Sequence, residues 1–460
     1  MARVDTLEHF LTDVADAIRE KTKSAESIQP KDFDTEIDSI GGDVPVKGIV
    51  LSNFNSNGFP QQADIYGNNF PDFYFMCNSD NLTKAIWGTQ LTQTYPTSYI
   101  KKIVLHTDDN YHYTARRCFA YNKSLEEIEY PENVDYIYLW GGNFLGCTAL
   151  KSFPISKIHG YSANSSTSIY EGIFNGCTNL ESDVDELPDH ITSIWVQAFK
   201  DCSKINFTSL NNVTSIGQVN NTVIYQGNGG YTFHNCTSLS LTELPENLTL
   251  IYGPYNFAGC TSLQISGIPD GVTSLPSNTF QGCTSIWEMD LNNVTSVGQY
   301  CFSGCTSLRK LHLTNVTTLG AYAFSGCSDL RTLTIPEATS ITDYSVFQNC
   351  SNVIDVLMPN IVTFGTSNTN AIFAGCTSLR RIWLGDSVES ISRYAFCGIS
   401  SSVNAIYINL PRATVEAMTN YNYVFSNNQL NASVIICNDD SNFISQSDFE
   451  AIMYNDENPK

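Results

Sequence analysis

The stretch CFSGCTSLRKLHLTNVTTLGAYAFSGC, residues 301–327, decides the fold because it contains two copies of one phrase, FSGC, that are 22 residues apart. Variants of this phrase recur along most of the chain at intervals of 22–34 residues. A phenylalanine marks each of the twelve copies: Phe119, Phe144, Phe174, Phe199, Phe233, Phe257, Phe280, Phe302, Phe324, Phe347, Phe373 and Phe396. A repeat of this length predicts a solenoid, in which each coil buries its apolar face against its neighbours.

The sequence within one coil predicts a short strand with one buried face. Leu311 and Leu313 alternate with His312, the two-residue period of a half-buried strand. The Asn-Val-Thr and Gly-Cys-Thr segments on either side consist of residues that favour turns. These repeats, roughly residues 106–405, resemble BspA-type leucine-rich repeats. The resemblance implies the fold and no single function, because repeats of this type bind many different targets.

We therefore predict an α+β, β-rich chain, built as a BspA-like leucine-rich-repeat solenoid of about twelve coils with an N-terminal helical segment. Residues 1–43 form that helical segment, residues 44–105 a small β-rich linker domain, and residues 406–460 a C-terminal capping unit. Within the linker, Asn57-Gly58 is a strong signal for a hairpin turn. An alternative interpretation of residues 53–64 as a calcium loop would place amides where carboxylates are needed.

Ten of the fifteen cysteines occupy one position of the repeat. Stacked neighbours at this position would satisfy the Cα separation of a disulfide, so a bonded ladder is one interpretation. The other is that each thiol is a small buried apolar group that fills the corner of its coil. Asn122 replaces the cysteine in the first copy, and the spacings typical of zinc sites are absent. We therefore predict free, structural thiols and no metal site.

The N-terminal segment carries an apolar stripe at the spacing of an amphipathic helix. We assign its apolar residues to oligomerisation or docking, because a helical hairpin cannot bury such a stripe alone: Leu7, Phe10, Leu11, Val14, Ile18, Phe33 and Ile37. The segments 15–40, 47–67 and 406–440 resemble, in this order, modules of tail-associated proteins of phages from Gram-positive hosts. This resemblance implies a virion protein, although tail, baseplate and head fibres share such modules.

Coil length varies at one place, between the second strand of a coil and the following phenylalanine. Insertions at one repeat position must emerge on one edge of a solenoid, and that edge is often functional. The inserted residues are rich in Tyr, Trp, Asn, Ser and Gly, a mixture that suits a glycan or a protein surface. The predicted contact residues are Trp140, Tyr161, Asn164, Tyr170, Tyr225, Asn228, Tyr231, Tyr252 and Tyr255. The alternative is that these are permissive surface loops.

Composition and motifs favour a binding protein over an enzyme. The net charge of −22 argues against a nucleic-acid partner, whose phosphates require Lys and Arg. No apolar run is long enough for membrane insertion, and the N-terminus lacks the apolar core of a signal peptide. The seven histidines form no catalytic motif, and we predict no catalytic residues and no cofactor. A pair of carboxylates that cleaves glycans is the remaining catalytic alternative.

These observations together predict a phage virion structural protein of the tail-fibre or baseplate type, assembled in the host bacterial cytoplasm. Its expected partners are other virion proteins through the N-terminus, a host cell-surface glycan or protein, and further copies of itself in a homo-oligomer such as a trimer. The alternatives are an architectural head fibre or decoration protein without a receptor, a bacterial-surface adhesin, and a glycan depolymerase.

Overall fold

The structure is a computed structural model that describes two thirds of the chain in a series of ranges. These are residues 48–54, 60–66, 102–105, 111–113, 119–130, 132–139, 141–160, 167–219, 229–341, 343–365, 371–384, 388, 390–392, 394–399, 406–419, 435–437, 440 and 445–457. The predicted helical segment at residues 1–43, with its seven docking residues, lies outside these ranges.

The described residues form many short strands and few helices. The first twelve strands are β1 (Gly48–Phe54), β2 (Pro60–Tyr66), β3 (Lys102–Leu105), β4 (Tyr111–Tyr113), β5 (Glu127–Glu129), β6 (Tyr136–Leu139), β7 (Ser152–Phe153), β8 (Ile158–Gly160), β9 (Ser168–Ile169), β10 (Glu181–Ser182), β11 (Ser193–Trp195) and β12 (Ser215–Gln218). A 3-10 turn at Ile155–Lys157 precedes β8.

Fourteen further strands and two helices complete the described part of the chain. They are β13 (Leu250–Ile251), β14 (Ser274–Leu275), β15 (Glu288–Asp290), β16 (Ser296–Val297), β17 (Lys310–His312), β18 (Thr318–Leu319), β19 (Thr332–Thr334), β20 (Ser340–Ile341), β21 (Asp355–Met358), β22 (Thr363–Phe364), β23 (Arg381–Leu384), β24 (Ser390–Ile391), β25 (Ile406–Ile408), α1 (Arg412–Thr419), β26 (Ile435–Cys437) and α2 (Gln446–Glu457).

A regular coil contributes two strands, each paired in parallel with its equivalent in the next coil. Strand β17 pairs with β15, so that Leu311 lies beside Met289, and β18 pairs with β16. Leu311 is buried and His312 is exposed, which confirms the predicted alternation. The predicted class, a β-rich leucine-rich-repeat solenoid with few helices, is confirmed.

The described residues divide into two compact units. The first, within residues 1–166 and 173–183, contains a six-stranded sheet in the order β10-β7-β5-β3-β1-β2 and a three-stranded sheet in the order β4-β6-β8. Strands β1 and β2 pair in antiparallel fashion on either side of residues 55–59, as the hairpin prediction requires. Because β1 also pairs with β3, the hairpin of the predicted linker continues the sheet formed by the first coils.

The second unit, within residues 167–172 and 184–460, contains the most regular coils. Its sheets have the orders β13-β12-β11-β9, β14-β16-β18, β15-β17, β20-β22-β24 and β19-β21-β23-β25-β26. The last sheet includes β25 and β26 of the predicted capping unit. Phe449 and Met453 of α2 pack against Leu357 of β21 and Trp383 of β23 and cover this sheet.

The twelve repeat phenylalanines form the core, and none of them is more than 1% exposed. Within each unit their rings stack nearly parallel from coil to coil; in the second unit the centroids of successive rings are 5.2–5.7 Å apart. Burial of one such side chain stabilises the fold by about 1.5–3 kcal/mol. The repeated phenylalanines are among the largest fully buried side chains of the described residues.

The repeat cysteines are buried free thiols that hydrogen-bond to the neighbouring coil. The Cys305 thiol donates to the carbonyl oxygen of Phe280 at 3.1 Å, and the Cys327 thiol donates to that of Phe302 at 3.2 Å. The same carbonyl of Phe302 accepts the backbone N–H of Cys305, within its own coil. Burial raises the pKa of Cys147 and of Cys305 to about 12. The prediction of buried, structural thiols is confirmed.

We expect the repeat cysteines to resist alkylation in the folded protein, because a buried thiol with a raised pKa forms little of the reactive thiolate. Iodoacetamide at pH 8, followed by peptide mass spectrometry, should modify Cys147 and Cys305 only after unfolding in guanidinium. Cys397, which is only partly buried, serves as the control that reacts first. Rapid modification of the repeat cysteines in the native protein would contradict their burial.

Candidate ligand-binding site

The residue two positions before a repeat phenylalanine has a positive φ, a backbone conformation that bulky side chains rarely adopt. In the second unit this holds for Gln197 (56°), Tyr231 (57°), Tyr255 (61°), Asn278 (61°), Tyr300 (55°), Tyr322 (59°), Ser345 (52°) and Tyr394 (65°). Five of these eight residues are tyrosines, which we call the tyrosine column: Tyr231, Tyr255, Tyr300, Tyr322 and Tyr394.

Hydrogen bonds between coils require this conformation. The backbone N–H of Tyr300 donates to the carbonyl oxygen of Ala321 in the next coil at 2.9 Å. Phe302 and Gly304 make equivalent bonds, to Ala323 at 2.7 Å and to Ser325 at 2.8 Å. Gly304 also has a positive φ, of 77°. The chain therefore turns at both ends of this five-residue arc, so that three N–H groups point at the next coil.

The backbone does not require tyrosine at this position, because Asn278 and Ser345 adopt the same conformation. A left-handed conformation costs a residue with a Cβ atom about 1–2 kcal/mol, and asparagine tolerates it best. The presence of tyrosine at this position in five coils therefore departs from the preference of the left-handed conformation for residues such as asparagine. Residues held in unfavourable conformations cluster at functional sites, so the column is a candidate site.

The rings of the column stack in pairs. The centroids of Tyr231 and Tyr255 are 4.7 Å apart with an interplanar angle of 18°, and those of Tyr300 and Tyr322 are 4.8 Å apart with an angle of 1°. All four side chains are partly exposed. Partial burial, and to a smaller extent the neighbouring phenol of Tyr255, raises the pKa of Tyr231. The phenol therefore remains protonated at neutral pH and can both donate and accept hydrogen bonds.

Charged residues surround the first pair of rings. The Lys200 ammonium group lies 5.7 Å from the centroid of the Tyr231 ring, within the range of a cation–π contact. The His234 ring packs edge-on against both tyrosines of the pair, at 5.6 Å and 5.9 Å between centroids. Asp201 lies beside both side chains, with its oxygens 3.7 Å from Lys200 Nζ and 3.5 Å from His234 Nδ1.

The environment of Asp201 holds its carboxyl group in the charged form. His234 lowers the pKa of Asp201 most, and the Nδ2 group of Asn235, which donates to Asp201 Oδ1 at 2.7 Å, and the charge of Lys200 lower it further. The distance of 3.5 Å between His234 Nδ1 and Asp201 Oδ1 is longer than that of a short hydrogen bond. We call Lys200, Asp201, His234 and Asn235 the polar cluster.

One predicted insertion begins and ends beside the column. Gly217 and Gly230 flank residues 220–228, and the Gly230 N–H donates to the Gly217 carbonyl oxygen at 2.9 Å. A Cβ atom on Gly230 would lie 2.1 Å from the carbonyl oxygen of Pro254, so only glycine fits this close approach. The described residues on either side of the insertion therefore meet directly before Tyr231.

The structure brings together three of the nine predicted contact residues. Tyr231 and Tyr255 stack, and Tyr252, which is 47% exposed, lies against the base of the insertion at Gly229. The prediction for Tyr170 disagrees with its position: it is 7% exposed, and its ring centroid is 4.4 Å from that of Trp195. Core packing therefore removes it from the candidate surface. The other five lie outside the described residues: Trp140, Tyr161, Asn164, Tyr225 and Asn228.

The sequence analysis missed Tyr300, Tyr322 and the polar cluster. The predicted contact residues all lie in insertions or expansions of the repeat, whereas Tyr300 and Tyr322 belong to regular coils that have none. Alignment of the coils on their phenylalanines would have shown tyrosine recurring two positions earlier. The polar cluster has no such signal, because its members come together only when coils stack.

This arrangement is suited to noncovalent recognition. It offers flat apolar rings, phenolic hydroxyls, one ammonium group, one imidazole and one carboxylate. Within the part of the chain that the structure describes, no group of three His, Cys, Asp or Glu residues could hold a metal ion. None of the described helices is long and apolar enough to span a bilayer.

We expect the stabilising effect of Asp201 to depend on pH. A carboxyl pKa that folding lowers stabilises the fold above the unfolded-state value of about 3.9, and this contribution disappears as the pH falls through the folded-state pKa. At pH 6 the wild type should therefore resist urea better than Asp201→Asn. The difference in the free energy of unfolding should shrink below about pH 4. A difference that is constant from pH 6 to pH 3 would contradict a stabilising ion pair between Asp201 and Lys200.

Comparison with known families matches the model described as BspA type Leucine rich repeat region, in six copies, to residues 91–166, 153–220, 228–354 and 366–455. No curated protein matches the chain.

Solved structures of bacterial repeat proteins are similar. A leucine-rich repeat protein from Bacteroides ovatus is 20% identical, covers 85% of this chain and 98% of its own, and gives a TM-score of 0.47. A leucine rich cell surface protein from Faecalibacterium prausnitzii is 18% identical, with coverage of 82% and 96% and a TM-score of 0.35. A leucine-rich repeat protein from Eubacterium ventriosum is 17% identical, with coverage of 74% and 90% and a TM-score of 0.38. The family model matches most residues of the present chain, which therefore belongs to the BspA-type leucine-rich-repeat family.

Proposed function

We propose that this protein is a recognition protein that binds a cell-surface glycan through the tyrosine column and the polar cluster. The observation that carries the proposal is the recurrence of tyrosine in a backbone conformation that asparagine adopts at lower cost. The backbone conformation does not require the tyrosine rings, since Asn278 and Ser345 adopt it without one, but a ligand could stack on them. The family that matches is a repeat family and names no catalytic activity, so we propose binding without catalysis.

The chemistry of the column favours a saccharide. Sugar rings have apolar C–H faces and a rim of hydroxyls, and tyrosine offers a flat apolar ring with a hydroxyl that donates and accepts. Tyrosine also contributes a large contact area with few rotatable bonds, so that little side-chain entropy is lost on binding. The net charge of −22 disfavours a polyphosphate partner.

The receptor test replaces one ring of each stacked pair. In the variant Tyr255→Asn/Tyr300→Asn the backbone should be unchanged, because Asn278 adopts the same conformation in a sister coil. We expect binding to polysaccharide purified from the walls of candidate Gram-positive hosts to weaken at least tenfold, which corresponds to about 1.4 kcal/mol. Surface plasmon resonance would measure this change.

The control is Trp287→Ser, which removes an exposed aromatic ring that lies outside the column and stacks with Lys310. It should bind as the wild type does. If the double variant binds wall polysaccharide as tightly as the wild type does, the column is not the receptor site. The architectural alternative, a fibre without a receptor, would then be favoured.

We further propose that the protein is part of a phage virion, exposed on the tail or baseplate, and attached as a homo-oligomer through residues 1–43. The support is the resemblance of residues 15–40, 47–67 and 406–440, in this order, to modules of phage tail proteins. The apolar stripe of the first segment needs a partner to cover it, and either a virion protein or another copy of the chain would provide one.

Deletion of residues 1–43 tests this attachment. We expect particles assembled with the shortened chain to lack it, because the deletion removes the proposed docking stripe. Mass spectrometry of purified particles measures its incorporation. Circular dichroism of the shortened chain should show the strand signal of the full-length protein. Incorporation of the shortened chain at the normal level would show that the anchor lies elsewhere.

A further inference from the structure

The tyrosine column is interrupted once between its two stacked pairs. Asn278 occupies the position between Tyr255 and Tyr300, with the same positive φ as its neighbours. Rings in adjacent coils lie 4.7–4.8 Å apart. Two coil spacings of about 4.8 Å therefore separate Tyr255 from Tyr300 by about 9–10 Å. We call this space the Asn278 gap.

Tyr255 and Tyr300, the two rings that border the Asn278 gap, each use only one face for stacking on another tyrosine, so the opposite face is directed at the gap. Tyr255 stacks through its other face on Tyr231, and Tyr300 stacks through its other face on Tyr322. Each bordering ring is therefore held by a partner from behind. Rings fixed in this way lose little conformational freedom when a ligand binds between them.

Asn278 replaces a ring with a short polar side chain. Its backbone N–H donates to the Gln299 carbonyl oxygen at 2.8 Å, so the coil ladder continues without interruption. Its Nδ2 group donates to Gln281 Oε1 at 2.9 Å, which directs the amide along its own coil. The residue is 7% exposed, and no described residue donates a hydrogen bond to its Oδ1 atom. The floor of the gap thus has one acceptor.

We propose that the Asn278 gap is a subsite for one pyranose ring of the glycan, stacked between Tyr255 and Tyr300. This proposal rests on the proposed function and adds where, and by which chemistry, a sugar is held. A ring at the centre of the gap would lie about 4.8 Å from each tyrosine, within the 4.5–7 Å range of stacked rings. A sugar hydroxyl would donate to Asn278 Oδ1.

The floor acceptor favours a sugar over an aromatic side chain. A phenyl ring has no donor for Asn278 Oδ1, and a polar group that is buried without a hydrogen-bond partner costs about 1–3 kcal/mol. A pyranose ring presents apolar C–H groups to both tyrosines and hydroxyls at its edge. The side-chain amide of Gln281, whose Oε1 accepts from Asn278 Nδ2, adds a further amide group beside the gap.

The decisive variant is Asn278→Tyr, because it fills the gap with the ring that the sister coils carry. The substitution should not perturb the fold, since Tyr255 and Tyr300 adopt the same backbone conformation. Isothermal titration with tetrasaccharides of glucose, N-acetylglucosamine and rhamnose should show at least one that binds the wild type. Asn278→Tyr should bind that tetrasaccharide at least tenfold more weakly, with an equal or higher melting temperature.

The matched control is Asn278→Ser, because Ser345 occupies the equivalent position in another coil. This variant leaves the gap open, and we expect its affinity to fall less than that of Asn278→Tyr. Equal losses in the two variants would overturn the stacking of a ring in the gap. If free indole binds the wild type more tightly than any of the tetrasaccharides does, and displaces them, the gap would be assigned to an aromatic side chain instead.

The outcomes separate this subsite from the proposed function. If Asn278→Tyr binds the tetrasaccharide and wall polysaccharide as the wild type does, while Tyr255→Asn/Tyr300→Asn loses binding, the column binds glycan and the subsite is wrong. If the wild type binds neither wall polysaccharide nor any of the tetrasaccharides, the glycan function fails, and the subsite fails with it.

Discussion

The hydrogen bonds that join each five-residue arc to the next coil are the constraint on which the rest of the structure depends. In the regular coils three N–H groups, at the phenylalanine and at the residues two positions before and after it, donate to the following coil, as at Tyr300, Phe302 and Gly304. This geometry requires a left-handed residue at both ends of the arc. It also fixes the spacing at which the phenylalanine rings stack and at which each thiol reaches the preceding carbonyl.

The same constraint creates the candidate site. A left-handed residue at the start of the arc carries its side chain at a fixed interval along one edge, so whatever occupies that position is repeated at the coil spacing. Glycine or asparagine would fit at the lowest cost. Tyrosine fits at a cost that ring stacking between adjacent coils partly offsets, since aromatic pairs contribute about 0.5–1.5 kcal/mol. The column is thus rigid and regularly spaced, and its interruption at Asn278 has a defined width.

The polar cluster shows how irregular residues add specificity to a regular scaffold. Asp201 and Asn235 stand at the other end of the arc, where most coils have glycine, and both have a positive φ. Their side chains meet because the coils are stacked, and they place a carboxylate and an amide beside the aromatic rings. A ligand that spans the first pair of rings and the Asn278 gap would contact both apolar and charged groups. The scaffold supplies the spacing, and the exceptions to the repeat supply the chemistry.

The sequence by itself determined the repeat, the buried phenylalanine and cysteine positions, the strand containing Leu311 and the hairpin of β1 and β2, because each is a local pattern or a fixed period. It also pointed to Tyr231 through the insertion at residues 218–231, and to Tyr252 and Tyr255 through the smaller expansion at residues 251–256. Only the tertiary structure decided that Tyr170 is buried against Trp195, that Tyr300 and Tyr322 continue the column, and that His234 meets Asp201. These are contacts between coils 22–33 residues apart in sequence. Their geometry depends on the register of stacking, which no single coil encodes.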